Sequence, residues 1–384
     1  MKIFFCDNRL GGLLGFRADI IRHFLSEGHD VALVAPKAVS SWDKVGAQDI
    51  TGYKLYDVDI DANGMNLLHE IRLFMQYLKL FRRERPDIVF NYTIKPNVYS
   101  SIAARMFGCR VVCMMPGLGY IFDEKGLKRK ILVSMCRIGV KRAERVFVLN
   151  RMNYDKLVAD RIVKPSKLIL LKGGEGVDLD AYTSGKTDYT DGVTFLMVSR
   201  LLNEKGYAEF VEAARIVSHS SSKARFEILG PLAYDSPMGV SREVFEADQK
   251  EGVFKYLGVT NDVQSVVGRP DVVVVVPSWY KEGMNRSLME ACALGRPIIT
   301  TDNPGCREMV ENTFNGYIVP MKDAEALADA MRSFMKLPDD AKNRMAEYSR
   351  IIVSRRFDVR DVISVYDAIL NNSFDVDAFN KRSL

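Results

Sequence analysis

The stretch from Asp271 to Gly305, DVVVVVPSWYKEGMNRSLMEACALGRPIITTDNPG, joins an apolar strand to a loop, a short helix and a second strand. Its first part is an aspartate followed by an unbroken run of valines to Val276, the pattern of a strand buried on both faces of a parallel sheet. Pro277 ends the strand. Asn285 then caps a helix whose apolar and small positions continue to Leu294, where Gly295 and Pro297 supply the stop. Glu282 falls in the loop and Glu290 on the helix. In an open α/β sheet such a loop lines the crevice at the carboxyl ends of the strands, where ligands bind. The helix start offers N–H groups and a positive dipole end to an anion, and a carboxylate on either side accepts hydrogen bonds from paired hydroxyls. A ligand that is anionic in the middle and rich in hydroxyls at both ends fits this layout, and nucleotide diphosphate sugars have that shape.

Outward from this stretch, strand and helix signals alternate, which predicts parallel sheets with crossover helices. The first half reads KIFFC, VALVA, DIVFNY, RVVCMM, RVFVL and LILLK as strands separated by helices, including a long one ending at Arg85 and a basic one after Lys125. GGEGVD (173 to 178) and TSGKTDYTDG (183 to 192) read as the linker. FLMVSR, RFEILG, VFKYLG, the valine run and PIITT form a second set, and residues 357 to 369 read as a last helix. Two such sheets facing each other leave a cleft, the usual place for a small-molecule site. At 384 residues the chain has room for two to three domains of roughly 100 to 200 residues each.

Composition excludes several classes. With 47% apolar and 27% charged residues the chain is ordinary globular protein. No apolar stretch approaches the roughly 18 residues that span a bilayer. MKIFFCD meets an aspartate at position 7 and reads as a first strand, not a signal peptide. The six cysteines contain no CxxC pair and read as reduced core residues of a cytosolic protein. Residues 1 to 190 hold 30 Lys and Arg against 21 Asp and Glu. The excess concentrates in Arg72 to Arg85 and in Lys125 to Arg145, where Lys125, Lys128, Arg129, Lys130, Arg137, Lys141, Arg142 and Arg145 surround Ile131, Leu132, Met135, Ile138 and Val140. Such a helix either lies on an anionic membrane surface or turns its stripe to the core and its cations to water. No nucleic-acid motif accompanies the charge.

Arg200 and Lys205, in RLLNEKG after the strand FLMVS, stand close to the next helix start. Two cations there would neutralise a diphosphate leaving group and replace a metal in that task. In DNRLGGLLGF the glycines Gly11 and Gly12 let backbone approach a phosphate or sugar and open a helix, although the spacing is not that of a dinucleotide site. The DxD strings at Asp57/Asp59, Asp59/Asp61, Asp178/Asp180 and Asp375/Asp377 fall in loops and a tail, and no metal site is assigned to them.

Glu282 and Glu290 with seven residues between them, the following AxxxGxPII, and NGYIVP (Asn315 to Pro320) resemble the signature of the retaining family 4 glycosyltransferases. The resemblance covers essentially the whole chain. It implies the GT-B fold, α/β with two Rossmann-like domains whose parallel sheets face a central cleft. The boundaries would be 1–185 on the acceptor side, 186–356 for the nucleotide sugar, and 357–384 as a helix and tail crossing back. By position, Glu282 would contact the donor sugar, Glu290 the ribose, and the backbone of Gly283, Met284, Asn285, Arg286, Ser287 and Leu288 the sugar and diphosphate. Arg200 and Lys205 match the family's leaving-group cations, and Gly11 and Gly12 its glycine-rich loop. Family members often have Gly or Pro where this chain has Asn285, and many have a histidine at the end of the MMPGLGY strand that is missing here. The segments NYTIKPNVY and MMPGLGYIF resemble a bacterial subgroup that adds N-acetylhexosamine to lipid diphosphate-linked glycans, with Tyr92, Lys95 and Tyr120 toward the acceptor. The expected protein is then a metal-independent, cofactor-free transferase, peripheral on the inner face of the cell membrane, with a UDP-sugar as donor. Competing expectations are a hydrolysing UDP-sugar epimerase of the same fold and a non-catalytic sugar-nucleotide sensor.

Overall fold

The computed structural model describes residues 1–37, 48–61, 64, 66–117, 126–171 and 173–383, without the side chains of 126–129, 132, 382 and 383. The chain forms two units, Met1–Glu175 with Val359–Leu384, and Gly176–Asp358.

Unit 1 is built on β1 (Lys2–Cys6), β2 (Asp30–Ala35), β3 (Lys54–Asp57), β4 (Ile88–Tyr92), β5 (Arg110–Met115), β6 (Arg145–Val148) and β7 (Leu168–Leu170). They pair in parallel in the order β3-β2-β1-β4-β5-β6-β7. The edge strand β3, KLYD, is half-exposed and lacks a β-branched run, so no sequence signal announces it. The chain leaves β1 in one direction and returns to its other side at β4, which makes the carboxyl ends of β1 and β4 a topological switch point. Helix Leu67–Glu84 covers one face with Leu73, Tyr77, Leu80 and Phe81. Asn66 caps its start by accepting from Leu68 N at 3.0 Å, and Arg85 ends it at φ +43°, just before Pro86.

Unit 2 repeats the scheme with β8 (Val193–Val198), β9 (Ala224–Leu229), β10 (Lys255–Gly258), β11 (Val272–Val276), β12 (Ile298–Thr301) and β13 (Gly316–Val319), all parallel in the order β10-β9-β8-β11-β12-β13. The five valines of β11 are fully buried, as their composition predicts. Here β8 and β11 are the switch pair, in register from Val272 opposite Thr194.

The crossings between the units lie at Glu175 and Asp358, ten residues before and two residues after the positions expected from sequence. The first crossing falls within GGEGVD, one of the two stretches expected to link the units, whereas the polar stretch 183–192 is part of unit 2. Asp188 N donates to Pro270 O at 2.9 Å, and Tyr189 is buried against Phe334. The predicted last helix runs from Val359 to Leu370 and belongs to unit 1. Its Tyr366 is fully buried, with ring centroids 4.9 Å from Phe90 and 5.1 Å from Phe147, and its hydroxyl is 3.0 Å from that of Tyr92. Tyr366→Ala should therefore destabilise the protein by about 3–5 kcal/mol, and Tyr366→Phe by only about 1 kcal/mol, in urea unfolding.

Candidate functional site

Three loops meet at the carboxyl ends of the unit 2 strands. After β8 come Ser199 and the exposed Arg200, then a 3₁₀ turn, Asn203–Lys205, and helix Tyr207–Ser218. Gly206 joins turn to helix at φ +82°, where a Cβ would stand 2.2 Å from Pro277 O, so only glycine lets this loop lie against the end of β11. The close approach carries Lys205 to Glu282. Lys205 Nζ donates to Glu282 Oε1 in an ion pair whose side chains are only 12% and 9% exposed. The same oxygen accepts from Ser278 Oγ at 3.1 Å and Asn285 Nδ2 at 3.2 Å, and the ammonium lies 4.9 Å from the Tyr280 ring centroid.

The loop after β12 clamps the other side. Thr301 Oγ1 donates to Ser278 O, Asn303 Nδ2 to Tyr280 O at 2.6 Å, and Asn285 N to Gly305 O at 2.7 Å. Gly305 adopts φ +90° and passes so close to Glu282 that a Cβ would be 2.6 Å from that residue's own. Its N–H donates to Glu308 at 2.7 Å, and burial holds the Glu308 carboxyl above the ordinary carboxylate range despite that bond.

Asn285 caps helix Arg286–Ala293, its Oδ1 accepting from Leu288 N at 3.1 Å. This corrects part of the expected ligand cradle. The Asn285 amide is taken by Gly305 and the Leu288 amide by the cap, so neither is open to a phosphate. Gly283, Met284, Arg286 and Ser287 are half-buried, and the last two are the first helical residues, whose N–H groups have no intrahelical acceptor. Glu290 Oε1 accepts from Arg286 Nε at 2.8 Å and from the Tyr182 hydroxyl at 3.0 Å, while Arg286 Nη1 reaches Gly176 O at 2.8 Å. Burial, then the Glu290 charge, raises the Tyr182 hydroxyl well above the ordinary phenol range. The start of helix Arg286–Ala293 thus lies between two ion pairs, Lys205–Glu282 on the loops before it and Arg286–Glu290 along it.

In unit 1 the switch point is filled by charge. Arg17 is 4% exposed, pairs with Glu175 at 2.5 Å and with Asp7 at 4.0 Å, and stacks 4.3 Å from the Tyr92 ring centroid. Burial works against its charge, but Glu175 and Asp7 more than restore it; burial also raises the Asp7 carboxyl. Sequence reasoning missed this set. Gly11 and Gly12 open helix Leu10–Phe16, as the sequence leads one to expect, with Gly12 packed on Asp7 and Arg17 Nη1 donating to its carbonyl. The other residues named here are placed differently from expectation. Tyr92 is buried beneath Arg17 and Tyr366, so it presents no acceptor-facing surface. Lys95 is held by Glu70 and by Gly64 O at 2.9 Å. Tyr120 and Lys125 lie outside the described residues, as do the side chains of Lys128 and Arg129. Lys130, Arg137, Lys141 and Arg142 are exposed on helix Gly126–Lys141 and just after it. The apolar stripe there divides: Val140 is buried, while Ile131 and Ile138 face out. Among the described residues no group of three or more His, Cys, Asp or Glu is placed to hold a metal, and no helix is long and apolar enough to cross a membrane.

Residues 184–351 match the family model described as glycosyl transferases group 1, and residues 14–150 the one described as glycosyl transferase 4-like. Among curated proteins the chain is similar to N,N'-diacetylbacillosaminyl-diphospho-undecaprenol alpha-1,3-N-acetylgalactosaminyltransferase of Campylobacter jejuni, 23% identical over 97% of this chain and 100% of that one. It is also similar to UDP-Gal:alpha-D-GlcNAc-diphosphoundecaprenol alpha-1,3-galactosyltransferase of Escherichia coli, 23% identical over 73% of each chain. Its fold is that of Anabaena Alr3699/HepE, solved in complex with UDP, with a TM-score of 0.76 at 17% identity over 97% of this chain and 100% of that one.

The Gly305 contact yields a direct test. Gly305→Ala combines a left-handed backbone with an overlap against Glu282, and should cost at least about 1–2 kcal/mol in thermal or urea unfolding. Gly252→Ala, at φ +78° with open space around it, carries the backbone strain alone and should cost less.

Proposed function

Because the chain belongs to the glycosyltransferases, with a 4-like first unit and a group 1 second unit, we propose that it moves a sugar from a UDP-sugar to a lipid diphosphate-linked saccharide, with retention at the anomeric carbon. The observation that carries this reading is the Lys205–Glu282–Asn285 cluster at the start of helix Arg286–Ala293, beside the β8/β11 switch point. A diphosphate at that helix start meets its N–H groups and lies within the field of Lys205 and Arg200. Both cations favour the leaving group more as its charge grows, which is the differential binding that lowers a barrier. Glu282, anchored through one oxygen by Lys205, Ser278 and Asn285, orients the sugar hydroxyls. Glu290 takes the ribose hydroxyls, exchanging the Tyr182 hydroxyl or the Arg286 guanidinium for the ligand. Retention follows from front-face attack, with the departing phosphate taking the acceptor proton, and the reaction runs without a metal.

The activities of the relatives support the donor and acceptor classes. The Campylobacter protein is an N-acetylgalactosaminyltransferase, which supports an N-acetylhexosamine donor, while the Escherichia coli protein is a galactosyltransferase; both act on undecaprenyl-diphosphate-linked sugars, which supports a lipid-linked acceptor at the membrane. The basic helix after Lys125 gives unit 1 attraction to that anionic surface.

A thermal-shift screen tests the nucleotide: UDP should raise the melting temperature and GDP or ADP should not, since a ligand bound only by the folded state stabilises it. Glu282→Gln should keep UDP binding and lose transfer by about a hundredfold or more, and Arg200→Ala or Lys205→Ala should each do the same to turnover. Glu290→Ala should weaken UDP itself. Transfer should persist in excess EDTA. Wild-type protein that binds UDP-sugars yet neither transfers nor hydrolyses them is a sensor, and one that releases UDP and a free sugar epimeric with the donor sugar at a ring carbon is an epimerase.

A further inference from the structure

Helix Leu67–Glu84 has two unlike faces. Leu73, Tyr77, Leu80 and Phe81 enter the core of unit 1. On the opposite side Leu67, Leu68, Ile71 and Met75 are 72%, 78%, 51% and 56% exposed. Helical periodicity gathers these four on one stripe. Single exposed leucines are ordinary, but four large apolar side chains within nine consecutive residues are not. Bordering and extending the stripe are Arg72, Lys79, Arg82 and Arg83, all exposed. The helix has two carboxylates and neither faces this way: Glu70 is held by Lys95, and Glu84 by Lys2 and Arg83.

The patch does not stand alone. Helix Gly126–Lys141 packs against the same two elements as Leu67–Glu84 does, the turn Pro96–Ser100 and helix Ser101–Met106. The two therefore flank a shared neighbour on one face of the seven-stranded sheet. Helix Gly126–Lys141 sends Val133, Cys136 and Val140 inward and exposes Ile131 and Ile138 beside Lys130, Arg137 and Lys141. Between them Met106 is 64% exposed.

We propose that this face of unit 1 docks on an anionic lipid bilayer, with Leu67, Leu68, Ile71 and Met75 inserted at the boundary between headgroups and acyl chains and the surrounding cations on lipid phosphates. An interfacial helix has this division of apolar and basic positions, and each half of it contributes separately to binding. Charge decides the occupant. A second copy of the chain meeting this face through a twofold axis would set Arg72, Lys79, Arg82 and Arg83 against their own like, whereas anionic lipid complements them. The inference rests on the reading above for why a membrane is the useful address, since the acceptor is lipid-linked, but the docking is measured without any acceptor.

The test is flotation with vesicles of phosphatidylethanolamine, with and without phosphatidylglycerol, lacking polyprenyl lipid. Wild-type protein should float with the phosphatidylglycerol vesicles and be released as salt rises, because exposed charges are screened. The triple change Leu68→Ser, Ile71→Ser, Met75→Ser should lower the bound fraction at least about tenfold, and Arg72→Glu, Lys79→Glu, Arg82→Glu should do likewise. Both variants alter only exposed side chains, so both should keep the wild-type melting temperature and its shift by UDP. Flotation of the serine variant equal to wild type overturns the proposal. So does a wild-type dimer in light scattering that the serine variant abolishes, since the stripe is then a protein interface. Protein that floats but transfers sugar to no acceptor leaves the docking standing and removes the glycosyltransfer reading. Protein that glycosylates a water-soluble acceptor but never floats does the reverse.

Discussion

An ammonium and a carboxylate, both nearly out of water, hold the loops of unit 2 together. Lys205 comes from the loop after β8 and Glu282 from the loop after β11, so the pair ties the two loops together. Removing one partner of a buried pair leaves an uncompensated charge, at a cost of about 3–5 kcal/mol. The geometry that admits the pair depends on two glycines in the left-handed region, one on each side. Gly206 lets the Lys205 turn touch Pro277, and Gly305 lets the β12 loop touch Glu282. A Cβ at either place would separate loops whose contact makes the ion pair, so local backbone freedom here is a condition of the electrostatics. The remaining hydrogen bonds from Ser278 and Asn285 then satisfy Glu282 Oε1, which is what makes burial of the carboxylate tolerable.

The two units place a cation at the same topological point and treat it differently. In unit 1 Arg17 is matched by Asp7 and Glu175 and covered by Tyr92, so the switch point is closed and neutralised from within. Tyr92 is itself buried in that cluster. In unit 2 Lys205 shares a single carboxylate that also receives a serine and an asparagine, and Arg200 is exposed nearby.

Much of this is legible in the sequence. The valine run, the Asn285 cap and the Gly295 stop identify β11 and its helix because burial on both faces and helix termination each leave a local composition. Edge strand β3 left none, since a half-exposed strand needs no β-branched run. Of the two linker stretches, GGEGVD holds the crossing at Glu175, whereas TSGKTDYTDG is polar and yet not linker, since its tyrosine is core and its backbone is bonded to Pro270. The glutamate pair was found by spacing, but spacing is silent about partners. Asn285 was expected to leave its amide open, and the loop 20 residues on takes it. Arg17 was invisible for the same reason: its two carboxylates lie 10 residues before it and 158 after it in sequence.

The basic segments show how a single composition divides once faces are known. The charge excess of the first half drew attention to Lys125 to Arg145 because its cations alternate with apolar residues. In the folded helix Val133, Cys136 and Val140 are ordinary core, and only Ile131 and Ile138 remain outside. Helix Leu67–Glu84 looked the plainer of the two, a run of leucines and arginines in which any apolar residue could be core. Burial reverses that order. Four residues buried and four exposed on opposite sides of one helix is a division that hydrophobic burial alone does not produce, because leaving large apolar side chains in water is unfavourable by roughly 25 cal/mol per Å². Placing the cations along that same exposed side, and both carboxylates off it, makes the arrangement one that water does not reward and an anionic bilayer does.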